Sequence, residues 1–304
     1  TKTFDDVINI PDWKVNYPDE ESVVVLYTRD LILNAKKEVE VYQQFMVKVQ
    51  NDNGVKRWME YNFAFLGNLT MVKVKKPNGT EFTPDEQGGY VVIKNLSPGD
   101  IIMLEGIYKW SRYEEQLDTN FSMTHYTMFD VPIWYKKFEV AIPAGEQINT
   151  MTHLCANDPK KTTRDGYDFY KWEFNKVKKV ENEDAIVDSY DPYGTVSIST
   201  LPDWSKVVKW YQNKTYRKFE ITYDVKEALD SIINPGMKDQ EKVDAIYNYL
   251  TREIKYSYVS FLQSGYIPKS PEQTLSSRIG DCKDVATLMI AMLPGQDASA
   301  QTPP

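Results

Sequence analysis

The chain has 304 residues, of which 41% are hydrophobic and 26% charged, and its net charge is -8. This is the composition of a folded protein long enough for two domains, and it excludes large-scale disorder. The acidic balance, without a long Lys/Arg cluster, argues against nucleic acid as a partner, and no apolar run reaches membrane-spanning length, so no transmembrane segment is expected.

In chain order, residues 1 to about 20 hold Pro11, Trp13 and Pro18 without a period and read as an extended lead-in. Val23 to Leu26 form an apolar run. Val39, Val41, Phe45, Val47 and Val49 then sit between polar residues at the period of a half-buried strand. Asn51-Asp52-Asn53-Gly54 reads as a tight turn that returns residues 55 to 65 as a hairpin partner. Further turns fall at Lys76 to Thr80, at Ser97 to Asp100 and at Asp165-Gly166, between strands at 90–93, 101–110, 138–142, 148–154 and 167–174. Strands and turns at this spacing predict an antiparallel β-sandwich over residues 1–200.

The pattern then turns helical. Asp203 caps a helix beginning at Trp204, within a linking region over residues 201–236. Val225, Ala228, Leu229, Ile232 and Ile233 share one helical face. Val243, Ile246, Tyr247, Leu250 and Ile254 form a stripe on the next helix, read as packing support for the last helix of the chain. Ser270, Pro271 and Gln273 make a capping box with proline at the first helical position, so a short helix runs to about Gly280. The last helix starts at Asp281. It is apolar on nearly every face from Val285 to Leu293, as an enclosed helix is, and is expected to pack around Ile246, Leu250 and Ile254.

Cys282 stands in the first turn of that helix. Unpaired backbone N–H groups and the positive end of the helix dipole favour a thiolate there, with Lys283 as an added positive charge, so Cys282 is the candidate catalytic nucleophile. The bland alternative is a small buried residue. The other cysteine, Cys155, lies in the strand region, and two cysteines make no disulfide framework. No metal-ligand spacing and no phosphate loop is visible, so neither metal nor cofactor is expected.

The string RIGDCKDVATLMIAML, preceded by IKYSYVSFLQSGYIPKSPEQTL, resembles the bacterial transglutaminase-like family, in which a G-D-C-K-D segment opens the helix of the catalytic cysteine. The segments NDNGVKRWMEYNF and VVIKNLSPGDIIMLEGIYKW look like a β-sandwich domain of unknown function (DUF3857-like) that precedes such domains. The resemblance implies an α+β protein, with an N-terminal antiparallel sandwich followed by the helical part of a papain-like cysteine domain over residues 237–304. It implies a Cys-His-Asp arrangement with Cys282 as nucleophile. The only histidines, His125 and His153, lie far upstream of it. We therefore expect a domain truncated after the cysteine helix and inactive as this chain.

Two functional readings are open. One is acyl transfer or amide hydrolysis on a protein or peptide, with Gln263 and Tyr266 as candidate substrate-binding residues. The other is a non-catalytic binding or assembly module whose aromatic-rich sandwich recognises a glycan or a protein. Self-association through an uncovered face of the cysteine helix is a further expectation. The sequence opens on TKTFDD without methionine, which fits a processed export signal or a trimmed chain, and we place the protein in a bacterial periplasm or cell envelope.

Overall fold

Valine-rich alternation in the first half of the chain builds one long sheet, and helical stripes in the last third build a separate small core. The computed structural model describes residues 4–8, 17–34, 38–110, 121–155, 158–181, 192–257 and 266–293. The chain divides into two units, Thr1–Pro202 and Asp203–Pro304.

In the first unit a short helix α1 (Phe4–Ile8) precedes strands β1 (Ser22–Leu33) and β2 (Val39–Val49). Helix α2 (Asp52–Trp58) leads to β3 (Glu60–Asn62), β4 (Asn68–Lys75), β5 (Glu81–Phe82), β6 (Asp85–Gln87) and β7 (Tyr90–Val92). Then come β8 (Ile101–Trp110), β9 (Ser122–Tyr126), β10 (Ile133–Pro143) and β11 (Asn149–His153). The unit ends with β12 (Lys160–Arg164), β13 (Tyr167–Val177) and β14 (Thr195–Ser199). Eight strands form one sheet in the order β12-β13-β10-β1-β2-β8-β4-β5. Its neighbours are antiparallel except at the centre, where β1 and β10 run parallel with Val24 opposite Ile133 and Ile32 opposite Ala141.

Two three-stranded sheets, β3-β7-β6 and β11-β14-β9, complete the unit. Phe45, Val47, Leu104 and Ile133 of the long sheet pack with Trp58, Phe63 and Val91. Farther along it, Leu31, Val41, Phe138 and Trp172 pack with Val196 and Ile198 of β14. Each such side chain, fully buried, contributes roughly 1.5–3 kcal/mol. A bulge in β1 between Val24 and Leu26 breaks the alternation of faces. Val24 and Tyr27 face one core, while Val25 and Leu26 both face the other, together with Met46 and Val7 of α1.

Two expectations are corrected here. Residues 4–8 are helical, with Val7 fully buried, where an extended lead-in was expected. Asn51 to Gly54 do not turn a hairpin. Asn51 is instead the N-cap of α2, its side chain accepting from the amides of Asn53 and Gly54, with Asp52 in the first turn and Lys56 and Arg57 in the last to suit the dipole. Gly54 is required by crowding, since a Cβ there would lie 2.2 Å from the Glu21 carbonyl oxygen. Strand β2 pairs with β1 and β8.

The second unit contains α3 (Trp204–Thr215), α4 (Tyr223–Ile232), α5 (Asp239–Glu253), β15 (Lys255–Tyr256), α6 (Pro271–Ser277), β16 (Ile279–Gly280) and α7 (Cys282–Met292). Asp203 caps α3 through the Ser205 amide at 2.7 Å, and Ser270 with Gln273 caps α6 as a reciprocal box. The core gathers Val225, Ile246, Leu250, Ile254, Leu275, Leu288 and Met292, so α7 packs against the α5 stripe as its spacing predicted. It is not enclosed all round: Leu288 and Met292 are buried, Val285, Met289 and Ile290 half-buried, and Cys282 and Ala286 exposed.

Candidate functional site

The site begins with two short segments that the sequence marks only by a glycine and a cap. Strand β15 lies parallel to β16, pairing Lys255 with Ile279 and Tyr256 with Gly280. The Ser257 amide extends this ladder by donating to the Gly280 carbonyl at 3.0 Å. Gly280 admits no side chain: a Cβ would lie 2.9 Å from that of Asp284 and 3.1 Å from Cγ2 of buried Thr274. The chain therefore reaches Asp281 in contact with both α6 and α7.

Asp281 then starts α7. Its carboxylate accepts from the amides of Lys283 at 3.1 Å and Asp284 at 3.2 Å. Asp284 reciprocates, accepting the Asp281 amide at 3.3 Å, and also accepts the Lys269 amide at 2.8 Å. Asp284 is almost fully buried, 1% exposed. The Lys283 ammonium sits on the Asp281 carboxylate, so its charge is spent on the cap. Burial alone would raise the Asp281 carboxyl; the Lys283 ammonium and the two amides outweigh it and hold the group below its usual value.

This frame presents Cys282 as an exposed thiol in the wall of a half-open cavity of about 930 Å³. Leu250 of α5, Ile254 at its C-cap, and Val285 and Met289 of α7 line it, with Tyr256 and Arg278. Arg278 ends α6 in the left-handed conformation at φ 55, a position that usually favours glycine. Its guanidinium donates to the Tyr249 hydroxyl at 3.0 Å and pairs with Glu253 at 3.7 Å.

Of the other candidates, Gln263 lies outside the described residues. Tyr266 is 70% exposed, its ring edge-on to Trp210 at 6.3 Å between centroids, and it is not among the residues lining the cavity. From the sequence Asp281 was read only as the start of the helix, and Asp284 and Arg278 were passed over. The D-x-x-D spacing around the cysteine was a capping signal for the first two; nothing local announces a left-handed arginine.

Both histidines belong to the first unit. His125 on β9 is buried, stacked on Phe138 at 4.2 Å, with Nδ1 3.5 Å from the Arg29 guanidinium. Desolvation, then the charges of Lys136 and Arg29, hold it well below its ordinary 6.5 and hence neutral. Lys136 is equally buried, its ammonium on the Tyr126 carbonyl and over the rings of Tyr27 at 4.7 Å and Phe129 at 4.5 Å. Desolvation and then Arg29 hold it well below 10.5. Cys155 donates to the Thr195 carbonyl at 3.0 Å, and burial pushes its thiol up. His153 is exposed on β11. Several large aromatics of this unit, including Phe45, Trp58, Phe63 and Trp172, are core, while Tyr42, Phe65, Tyr90 and Tyr108 are exposed.

Among the described residues no His/Cys/Asp/Glu group could hold a metal ion, and no helix is long and apolar enough to cross a membrane.

Comparison with known proteins places these observations. A model of the transglutaminase-like superfamily matches residues 226–298, and a model of a domain of unknown function (DUF3857) matches residues 72–181. The crystal structure of a "putative protease" from Parabacteroides distasonis superposes with a TM-score of 0.67 at 14% identity, over 90% of this chain and 58% of that one. The chain thus spans little more than half the length of that structure, and the likeness shows a shared fold. An M1 zinc metallopeptidase from Deinococcus radiodurans covers 59% of this chain and 42% of its own at 11% identity, with a TM-score of 0.29 that carries no argument. No curated protein gives a match. Residues 72–181 thus match a DUF3857 domain and residues 226–298 a transglutaminase-like core, and the helix that opens on Cys282 lies within the second match.

Proposed function

We propose that the second unit carries the nucleophile half of a cysteine acyl-transfer site, with Cys282 as nucleophile. The observation that carries this reading is the placement of the thiol, exposed at a helix N-terminus in the wall of a cavity. The thiolate attacks the carbonyl carbon of an amide, an S–C bond forms, and the C–N bond breaks as the amine leaves with a proton. An amine or water then takes the acyl group from the thioester and frees the thiol. The Asp281 carboxylate occupies the amides of Lys283 and Asp284. The Cys282 N–H has no acceptor among the described residues and is the donor available to a developing oxyanion.

The reaction needs a proton acceptor beside the thiol. His125 is sealed in the core of the first unit, and the second unit contains no histidine. We expect the 304-residue chain alone to show no amide turnover above background, while Cys282 still reacts with activated acyl donors. Incubation with a p-nitrophenyl ester and peptide mapping should find acyl on Cys282, absent in Cys282→Ala. An unmodified Cys282 would overturn the nucleophile reading; amide turnover lost in Cys282→Ala would overturn the expected inactivity.

A further inference from the structure

Resting on Cys282 as the nucleophile, we infer that its cavity selects an acidic peptide, one that sets an apolar side chain and a carboxylate beside the reacting amide. The inner wall is aliphatic, with Leu250, Ile254, Val285 and Met289, and its volume of about 930 Å³ holds a few side chains. Apolar contact would bind the body of a peptide without telling charged partners apart.

Charge supplies the discrimination. The charged residues lining the cavity are Arg252, Lys255 and Arg278 against the single carboxylate Glu253. Glu253 is shared, 2.8 Å from Arg252 and 3.7 Å from Arg278, so it cannot neutralise all three cations. The remaining charges near the thiol cancel in pairs, Lys283 with Asp281 and Lys269 with Asp284. The charged side chains that line the cavity with Cys282 are thus net positive, in a chain whose total charge is -8. The N-terminal end of α7 adds partial charge of the same sign. An anionic substrate gains from this field on approach and when seated, and a cationic one is penalised.

The thiol itself can report the field. In the full chain carrying Cys155→Ser, the rates of Cys282 modification by an anionic reagent, sulfonatoethyl methanethiosulfonate, and a cationic one, trimethylammonioethyl methanethiosulfonate, are compared. The anionic-to-cationic rate ratio should be roughly three-fold higher in the folded protein than in the same protein unfolded in urea, at about 0.1 M salt. It should fall toward the unfolded value at about 1 M salt, and also in Arg252→Gln/Lys255→Gln, whose replaced side chains are exposed. A ratio equal to or below the unfolded one removes the acidic-substrate inference and leaves the nucleophile intact. No modification by either reagent removes both.

Discussion

The buried Asp284 carboxylate takes the backbone N–H of Lys269 at 2.8 Å, fifteen residues upstream. It ties the segment that enters α6 to the first turn of the cysteine helix. Asp284 therefore both completes the capping box that Asp281 begins and clamps the neighbouring segment.

Asp284→Ala should cost roughly 1–3 kcal/mol, because it strands the amides of Lys269 and Asp281 without an acceptor in a buried setting. Asp284→Asn, which keeps one carbonyl oxygen, should lose less. Urea unfolding of the full chain, followed by a probe in the second unit, checks the order. Equal losses in the two variants would mean that the hydrogen bonds are not what the carboxylate contributes.

Glycine positions give a contrast. Gly280→Ala should destabilise by roughly 1–3 kcal/mol through overpacking, since its Cβ would crowd Asp284 and Thr274 at 2.9 and 3.1 Å. Gly236, where an added Cβ would meet nothing within 4 Å and φ is not positive, should accept alanine with a gain of about 0.4–1 kcal/mol. Thermal melts of the two variants beside the parent would separate crowding from a general intolerance of alanine.

Iodoacetamide at neutral pH should alkylate Cys282 at least about ten-fold faster than Cys155. The first thiol is exposed at a helix N-terminus; the second is half-buried, with burial pushing its proton affinity up. Timed labelling and peptide mapping decide this, and comparable rates would remove the case for a favoured thiol at Cys282.

Much of the fold was legible in the sequence, for identifiable reasons. Strand β2 follows from alternation, β8, β10 and β13 from apolar runs between turn signals, and the starts of α3 and α6 from Asp203 and Ser270, because periodicity, turns and capping are local. Helix α2 was misread because Asn-Asp-Asn-Gly serves both a hairpin and an N-cap. Buried Trp58 and the close approach of Gly54 to Glu21, both long-range facts, favour the cap. The glycine and aspartates beside Cys282 could be recognised as a motif, but Gly280's crowding by Thr274 and Asp284's bond to Lys269 exist only once α6 and α7 meet. The same holds for buried Lys136, which its strand pattern does not distinguish from a solvated lysine.

Stability of the first unit should rise with pH. In the folded state His125 titrates below 6.5 and Lys136 below 10.5, both depressed by desolvation first. The unfolded chain takes up protons that the folded chain refuses. The His125 contribution is complete above 6.5 and is lost as pH falls through that value toward the folded one; the Lys136 contribution grows up to 10.5. Urea midpoints for this unit should therefore increase from pH 5 to pH 8, less steeply in His125→Phe, and Lys136→Met should raise the midpoint throughout. A flat profile in the parent would contradict the burial of both groups.

The parallel seam between β1 and β10 bears on how this protein can be cut. Val24 must wait for Ile133 to be synthesised before the sheet's two halves can join, so closure is a late, long-range event in folding. The DUF3857 match at residues 72–181 begins after β1 and β2. A fragment excised at those limits would leave β8 and β10 without the strands that lie between them in the sheet. Both would become bare apolar edges, prone to pair with another molecule. A soluble first unit should therefore require the chain from before Ser22 through Ser199, the limits within which all three of its sheets are complete.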